Sequence, residues 1–212
     1  MKILSPDNIA EAVDLLKQGG VIVYPTETSY GIGCDATNAE TVARVFAIKG
    51  RPEGKGVTLL LPSSNPFGEE LVDWDPKLRE MAEKYWPGPL NIIVEVRMGS
   101  SIATQCMTGS PVGRSTPEGS TIAVRRSSHP IAQALVDALG VPLVSTSANI
   151  SGEKELYDAK SIVELFGARN LQPDAIIDAG LLKKNPPSTI ITSQNGNVEV
   201  LRQGAITLEP SR

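Results

Sequence analysis

Three cations lie close together at Lys49, Arg51 and Lys55, and Pro52 fixes the chain beside Arg51. Arginine can fork two phosphate oxygens and lysine acts as a point charge, so the group suits a phosphorylated ligand. Helix-dipole complementarity followed by a solvated loop would produce the same run. Two hydroxyl-rich segments join it. Ser145-Thr-Ser-Ala-Asn149 follows the apolar run Val141 to Val144, and Pro25-Thr-Glu-Thr-Ser-Tyr-Gly31 follows Val21 to Tyr24. Ligands of open α/β sheets bind beyond the carboxyl ends of strands. Short hydroxyl and amide side chains placed there can hold phosphate, carboxylate or ribose. Tyr30 could wall such a pocket. Taken singly, each segment is equally a structured polar turn or a helix cap.

Several other chemistries are disfavoured. Gly31-x-Gly33-x-x-Ala36 has the spacing of a dinucleotide fingerprint, but six residues, Pro25 among them, separate Gly31 from the apolar run before it. That fingerprint belongs at the tight turn directly after its strand, so these glycines fit relief of backbone crowding better. Gly50 to Gly56 has one residue too few between its glycines for a phosphate-binding P-loop and no Ser or Thr after Lys55. His129 is the single histidine and precedes a helix-starting proline, which reads as a cap or packing group. One histidine allows no Ser-His-Asp set and no histidine metal cluster. Arg125-Arg126, and Arg202 before Gly204, read singly as surface charges.

The elements that must position these residues alternate. Ser5 and Pro6 open a helix that Gly19-Gly20 ends, and Val21 to Tyr24 reads as a buried strand. Thr37 and Glu40 have capping-box spacing before a helix carrying Val42, Val45, Phe46 and Ile48. Val57 to Leu61 is a strand, Asp75-Pro76 starts a helix that ends at Trp86-Pro87, and Leu90 to Val96 is a strand. Residues 97–120 turn to Gly, Ser, Thr and Pro, the composition of a loop insertion or a lid. Thr121 to Val124 resumes a strand, His129-Pro130 opens a helix closed by Gly140, and Val141 to Val144 is a strand. A helix over Lys160 to Phe166 precedes short strands at Ala175 to Ile177, Thr189 to Thr192 and Val198 to Leu201. The pattern predicts one open α/β sheet with flanking helices and some antiparallel pairs.

The 212 residues carry 20 Lys+Arg against 24 Asp+Glu, a formal net charge of −4, with 41% apolar and 21% charged residues. That composition belongs to a folded globular chain of one domain, or of one domain with an elaboration. The charge balance argues against a broad nucleic-acid surface and leaves room for a small anion held by a local cluster. Cys34 and Cys106 form no C-x-x-C pair, which excludes a disulfide scaffold and a cysteine-rich zinc site. The sequence shows neither a signal-peptide core nor an apolar run long enough to span a bilayer, so the expected location is the cytoplasm, with no membrane partner.

The segments become specific when taken together. Tyr24-Pro-Thr-Glu-Thr-Ser-Tyr-Gly-Ile-Gly33, Lys49-Gly-Arg-Pro52, Pro87-Gly-Pro89, Ala123-Val-Arg125 with His129-Pro130, Ser145-Thr-Ser-Ala-Asn149, Pro187-Ser-Thr-Ile190 and Leu201-Arg202 occur in one order. This series resembles the YrdC family of threonylcarbamoyl-AMP synthases over residues 5–206, as a single YrdC-like domain spanning 1–212. A long-form branch of that family has a further C-terminal domain, for which this chain stops too early. Ser29 stands where members commonly have Val, and Asn91 replaces a frequent Thr after Pro-Gly-Pro. The 97–120 stretch is long for the family, and Arg126-Ser-Ser interrupts an Arg-x-Pro pattern.

The resemblance implies an open, twisted, mixed parallel and antiparallel sheet with flanking helices and a concave, positively lined cavity. It implies synthesis of threonylcarbamoyl-AMP from L-threonine, bicarbonate and ATP, with release of pyrophosphate and with Mg²⁺ carried on the polyphosphate. A separate threonylcarbamoyl transferase complex would then modify the adenosine beside a tRNA anticodon. By the family's pattern, Lys49 and Arg51 are catalytic and, with Thr121, Ser147, Asn149 and Arg202, bind the nucleotide. Thr26, Thr28, Tyr30, Arg125, Ser145 and Ser188 match positions near threonine, with the choice between Thr26 and Thr28 open. The complete Lys-x-Arg and Ser-x-Asn pair places the chain with the synthases. The alternative is a non-catalytic YrdC-like protein that binds tRNA or double-stranded RNA, and weak tRNA binding is compatible with either.

Overall fold

The computed structural model describes residues 1–52, 56–100, 114–116, 119–194 and 196–208. The strands are β1 (Lys2–Leu4), β2 (Ile22–Pro25), β3 (Tyr30–Gly33), β4 (Thr58–Leu60), β5 (Val72–Asp73) and β6 (Leu90–Val96). They continue with β7 (Arg114–Thr116), β8 (Gly119–Arg125), β9 (Leu143–Ser147), β10 (Ala175–Ile177), β11 (Thr189–Gln194) and β12 (Asn197–Arg202). The helices are α1 (Ile9–Lys17), α2 (Ala39–Lys49), α3 (Pro76–Tyr85), α4 (Pro130–Leu139) and α5 (Ala159–Gly167). All the strands join one sheet in the order β1-β10-β2-β3-β9-β4-β8-β6-β11-β12, with β5 beside β6 and β7 beside β8. Pairs β1–β10, β10–β2, β4–β8 and β11–β6 are parallel, and the others are antiparallel. The expected mixed sheet with flanking helices is therefore present.

Period-two alternation sorts the side chains between two faces. Val23, Ile32, Leu59, Ile92, Ile122, Val124, Val144 and Ile176 point to a core completed by Val42 and Phe46 of α2, Leu78 of α3 and Ile162 of α5. Ile22, Tyr24, Leu60, Leu143, Ala175 and Ile177 point the other way, onto Val13 and Leu16 of α1 and Leu135 and Val136 of α4. Helices thus cover the first face along its length, but α1 and α4 cover only the β10–β2–β9–β4 portion of the second. The uncovered part, over β8, β6 and β11, is where the polar cavity lies.

Local differences from expectation have physical reasons. Helix α1 begins at Ile9 rather than after Ser5, because the Ser5 amide and hydroxyl both turn to Asn8 Oδ1, at 3.1 and 2.6 Å. The cap of α2 is Asn38, which accepts from the Thr41 amide at 3.2 Å, while the Thr37 hydroxyl bonds Asp35. Asp75 caps α3 as expected, accepting from the Lys77 and Leu78 amides. His129 occupies the N-cap position of α4 but makes no side-chain cap bond. The largest difference is β3, where the sequence predicts no strand: Pro25–Gly31 reads as a polar binding segment or a turn, and Tyr30–Gly33 is a central strand between β2 and β9. Gly33 permits this approach, since a Cβ there would lie 1.7 Å from the Val144 carbonyl oxygen. Of the stretch expected as insertion or lid, 114–116 and 119–120 are in β7 and β8, and 101–113 and 117–118 lie outside the described residues.

Candidate active site

An open cavity of about 310 Å³ lies on the uncovered sheet face. Its floor comes from alternate residues of adjacent strands: Thr58 of β4, Thr121, Ala123 and Arg125 of β8, and Asn91 and Ile93 of β6. Register puts Ser145, Thr58, Ala123 and Ile93 in one row across β9, β4, β8 and β6. Ala123 is the small residue in that row. The Asn91 amide reaches over β8 to donate to Thr58 Oγ1 at 2.9 Å.

The Thr26–Ser29 turn between β2 and β3 forms one wall. Thr26 Oγ1 donates to the Ser29 carbonyl at 2.6 Å and accepts from the Thr28 and Ser29 amides at 3.2 and 3.3 Å. That hydroxyl is committed to closing its own turn. Thr28 shares one contact with it, at 3.1 Å. Tyr30 borders the cavity, but its ring packs in the core on the opposite face. Its hydroxyl donates to the Gly180 carbonyl and accepts from the Ala179 amide, each at 2.9 Å.

Two arginines converge on Ser188. Arg125 donates from NH1 to Ser188 Oγ at 2.8 Å and from Nε to the Gly88 carbonyl at 3.1 Å. Arg202 donates from Nε and NH2 to the Ser188 carbonyl at 3.0 and 2.8 Å. Arg125 is also paired with Glu27, NH2 to Oε1 2.6 Å, with the Arg125 side chain buried and that of Glu27 14% exposed. Burial alone would raise the Glu27 carboxyl. The Arg125 charge, and hydrogen bonds from Arg125, Ser127 and the Ser128 amide, instead hold it down to about 2.

Arg51 lines the cavity beside Gly56, donating from NH2 to the Gly56 carbonyl at 2.7 Å, and burial lowers its basicity. Lys49, two residues earlier, faces elsewhere. It is 1% exposed, and its Nζ donates to the Ser147 carbonyl, to the Asn149 carbonyl at 2.8 Å and to Asn149 Oδ1 at 3.0 Å. Burial, and then the Arg51 charge, pull its ammonium down to about 7, although the three oxygens around it favour the charged form. Ser147 Oγ donates to Asn149 Oδ1 at 2.7 Å, so Lys49 and Asn149 stand behind Ser147, which itself faces the cavity.

Of the residues singled out in the sequence, the cavity gathers Thr26, Thr28, Tyr30, Arg51, Thr121, Arg125, Ser145, Ser147, Ser188 and Arg202. Lys49 and Asn149 lie behind the wall. Thr58, Ile93, Glu155 and Ile190 also line the cavity, and sequence reasoning did not select them. For Thr58, Ile93 and Ile190 the signal is long-range strand register, which no local spacing carries, and Glu155 reaches the wall from the loop after β9.

A family model described as "Telomere recombination", for Sua5, YciO and YrdC proteins, matches residues 14–204. The chain belongs to the Sua5/YciO/YrdC family. Within it, a threonylcarbamoyl-AMP synthase of Halorhodospira halophila is 36% identical over 191 residues, covering 90% of this chain and 93% of that protein. The structure of P. abyssi Sua5 complexed with L-threonine is similar, with TM-score 0.80 and 29% identity over 96% of this chain. This family member spans only 58% of that Sua5 chain. E. coli YciO is similar over nearly its whole length, with TM-score 0.77 and 28% identity, covering 99% of this chain and 96% of that one.

Proposed function

We propose that the protein condenses L-threonine, bicarbonate and ATP into threonylcarbamoyl-AMP, releasing pyrophosphate, and does so as a single YrdC-like domain. One observation carries this reading: a single cavity holds hydroxyls and Arg125 beside Arg51 and Arg202, in a chain 36% identical to a threonylcarbamoyl-AMP synthase. The synthase relative and the threonine complex of Sua5 favour it over the RNA-binding alternative.

The nucleophiles come from the substrates. The threonine amine attacks bicarbonate carbon and water leaves, giving a carbamate. A carbamate oxygen then attacks the α-phosphorus, and the bond to pyrophosphate breaks. The protein's task is to hold the reactants in line and to offset charge as it develops. Arg51, Arg202 and Thr121 would bind the nucleotide, with Ser147 presented by Lys49 and Asn149. Arg125, Ser145 and Ser188 would take the amino acid. With the Thr26 hydroxyl closing its turn, Thr28 offers the hydroxyl for substrate.

Among the described residues no three His, Cys, Asp or Glu side chains group as a metal site. Mg²⁺ would be held chiefly by ATP oxygens, the usual arrangement for that ion, with Glu155 the carboxylate on the cavity wall. Bound there, the ion would neutralise polyphosphate charge. Among the described residues no helix is long and apolar enough to cross a membrane. A cytoplasmic location and hand-over of the adenylate to a transferase complex acting on tRNA complete the proposal.

The test is pyrophosphate release from ATP by purified protein. Release that requires both L-threonine and bicarbonate is expected. Release independent of either would overturn the assignment.

A further inference from the structure

Glu27 takes no part in the scheme above, yet it ties together segments at the amino-acid end of the cavity that are far apart in sequence. Its carboxylate pairs with Arg125 NH2 at 2.6 Å, accepts from Ser127 Oγ at 2.6 Å and accepts from the Ser128 amide at 3.0 Å. Its backbone carbonyl accepts from Asn185 Nδ2 at 2.8 Å. Ser127 Oγ in turn accepts from the His129 amide at 3.2 Å, at the start of α4. One residue therefore joins three chain segments far apart in sequence: the turn at 26–29, the end of β8 with 127–129, and the 185–188 segment carrying Pro187 and Ser188 into the cavity.

We propose that Glu27 is the positioning residue of the amino-acid subsite, fixing Arg125 and Ser188 in register with the Thr28 turn. This inference rests on the synthase reading for the identity of the ligand, though not for the positioning itself. An arginine side chain has many rotamers, and its value in a binding site depends on how few it populates. Here each guanidinium nitrogen has its own partner: NH2 pairs with Glu27, Nε donates to the Gly88 carbonyl and NH1 donates to Ser188 Oγ. The carboxylate also sets the local charge. Arg125 is already balanced by Glu27, so this end of the cavity suits a zwitterion better than a bare anion.

The role is separable from a merely structural one. Glu27→Gln keeps the size and removes the charge, and Glu27→Asp keeps the charge one methylene short. Positioning predicts that Glu27→Gln raises KM for L-threonine at least tenfold, changes KM for ATP less than twofold, and is partly rescued by Glu27→Asp. It also predicts faster amide hydrogen exchange across 125–129 and 185–188, beyond the turn at 26–29. A fall in melting temperature with KM for threonine within twofold of wild type overturns the inference, as does an equal rise in both KM values. If wild-type protein shows no threonine-dependent turnover, the synthase reading has failed. The exchange pattern then decides alone: loosening in both remote segments supports positioning, and loosening confined to 26–29 refutes it.

Discussion

Replacing Lys49 by methionine removes the ammonium that holds the Ser147–Asn149 segment while leaving a side chain of similar length. Nζ serves three acceptors, the carbonyls of Ser147 and Asn149 and Asn149 Oδ1, and the residue is 1% exposed. A hydrogen bond from a charged donor contributes about 1.5–3 kcal/mol, and a stranded buried acceptor costs about 1–3 kcal/mol. The methionine escapes the desolvation that pulls the lysine down to about 7, and Asn149 Oδ1 keeps its bond from Ser147. Two backbone carbonyls lose their charged donor, so the net loss should be about 2–3 kcal/mol.

Urea denaturation at pH 6, where the ammonium is the resident form, measures that loss. Pyrophosphate release measures its consequence for Ser147. A displacement of about 1 Å in a positioning group can cost on the order of 100-fold in rate, and a fall of that size is expected. Lys49→Met and Asn149→Ala should be non-additive by about 1 kcal/mol or more, because they share a contact. The sign of the pH dependence follows from linkage. A lysine pulled down towards 7 binds fewer protons folded than unfolded above that pH, so wild type should gain stability relative to the variant between pH 7 and 9. A stability loss below about 1 kcal/mol, or full turnover in the methionine variant, would refute the role given to Lys49.

Two further outcomes follow from the same contacts. The Glu27 carboxyl is held down to about 2 in the fold, against 4.5 ordinarily. Its contribution is present above about 4.5 and is lost as pH falls towards 2. Linkage makes this roughly 3 kcal/mol, so Glu27→Gln should flatten that part of the acid limb in urea denaturation followed from pH 6 to 2.5. Ala123→Leu should fill the cavity floor between Thr58 and Ile93 and raise KM for substrate at least tenfold, with the melting temperature within a few degrees of wild type. Unchanged kinetics would place the ligand elsewhere.

The parts of the fold legible from sequence are those whose cause is local. Leu90–Val96 is a strand over its full expected length, and Asp75 caps α3 through its own carboxylate. Strand β3 was obscured because Tyr30-Gly-Ile-Gly33 has the composition of a turn. Its strand character comes from β2 and β9 on either side, and the glycine at 33 answers to the Val144 carbonyl, more than a hundred residues away in sequence. The site divides in the same manner. Hydroxyls placed after strands are visible in the sequence, whereas Thr58 and Asn91 meet only because β4 and β6 flank a strand bearing a small residue at 123. Glu27 sits inside a legible motif. Its partners are Arg125, Ser127 and Ser128, and only the folded chain brings them to it.

The Lys49-Gly-Arg51 spacing shows why a motif read as two aimed cations can have two different destinations. Lys49 is the last residue of α2, and its side chain continues along the buried face of that helix. Gly50 then adopts φ 56°, a left-handed C-cap that few side chains tolerate, and the chain reverses direction. The Ser151 amide donates to the Lys49 carbonyl at 2.9 Å, so both the backbone and the side chain of Lys49 hold the segment behind Ser147. Arg51, beyond the reversal, comes out on the cavity beside Gly56. A substitution of Gly50 by a β-branched residue would disturb the cap, and with it both the strut behind Ser147 and the cation on the wall. One glycine thus sends the two charges in different directions, Lys49 behind Ser147 and Arg51 onto the cavity wall.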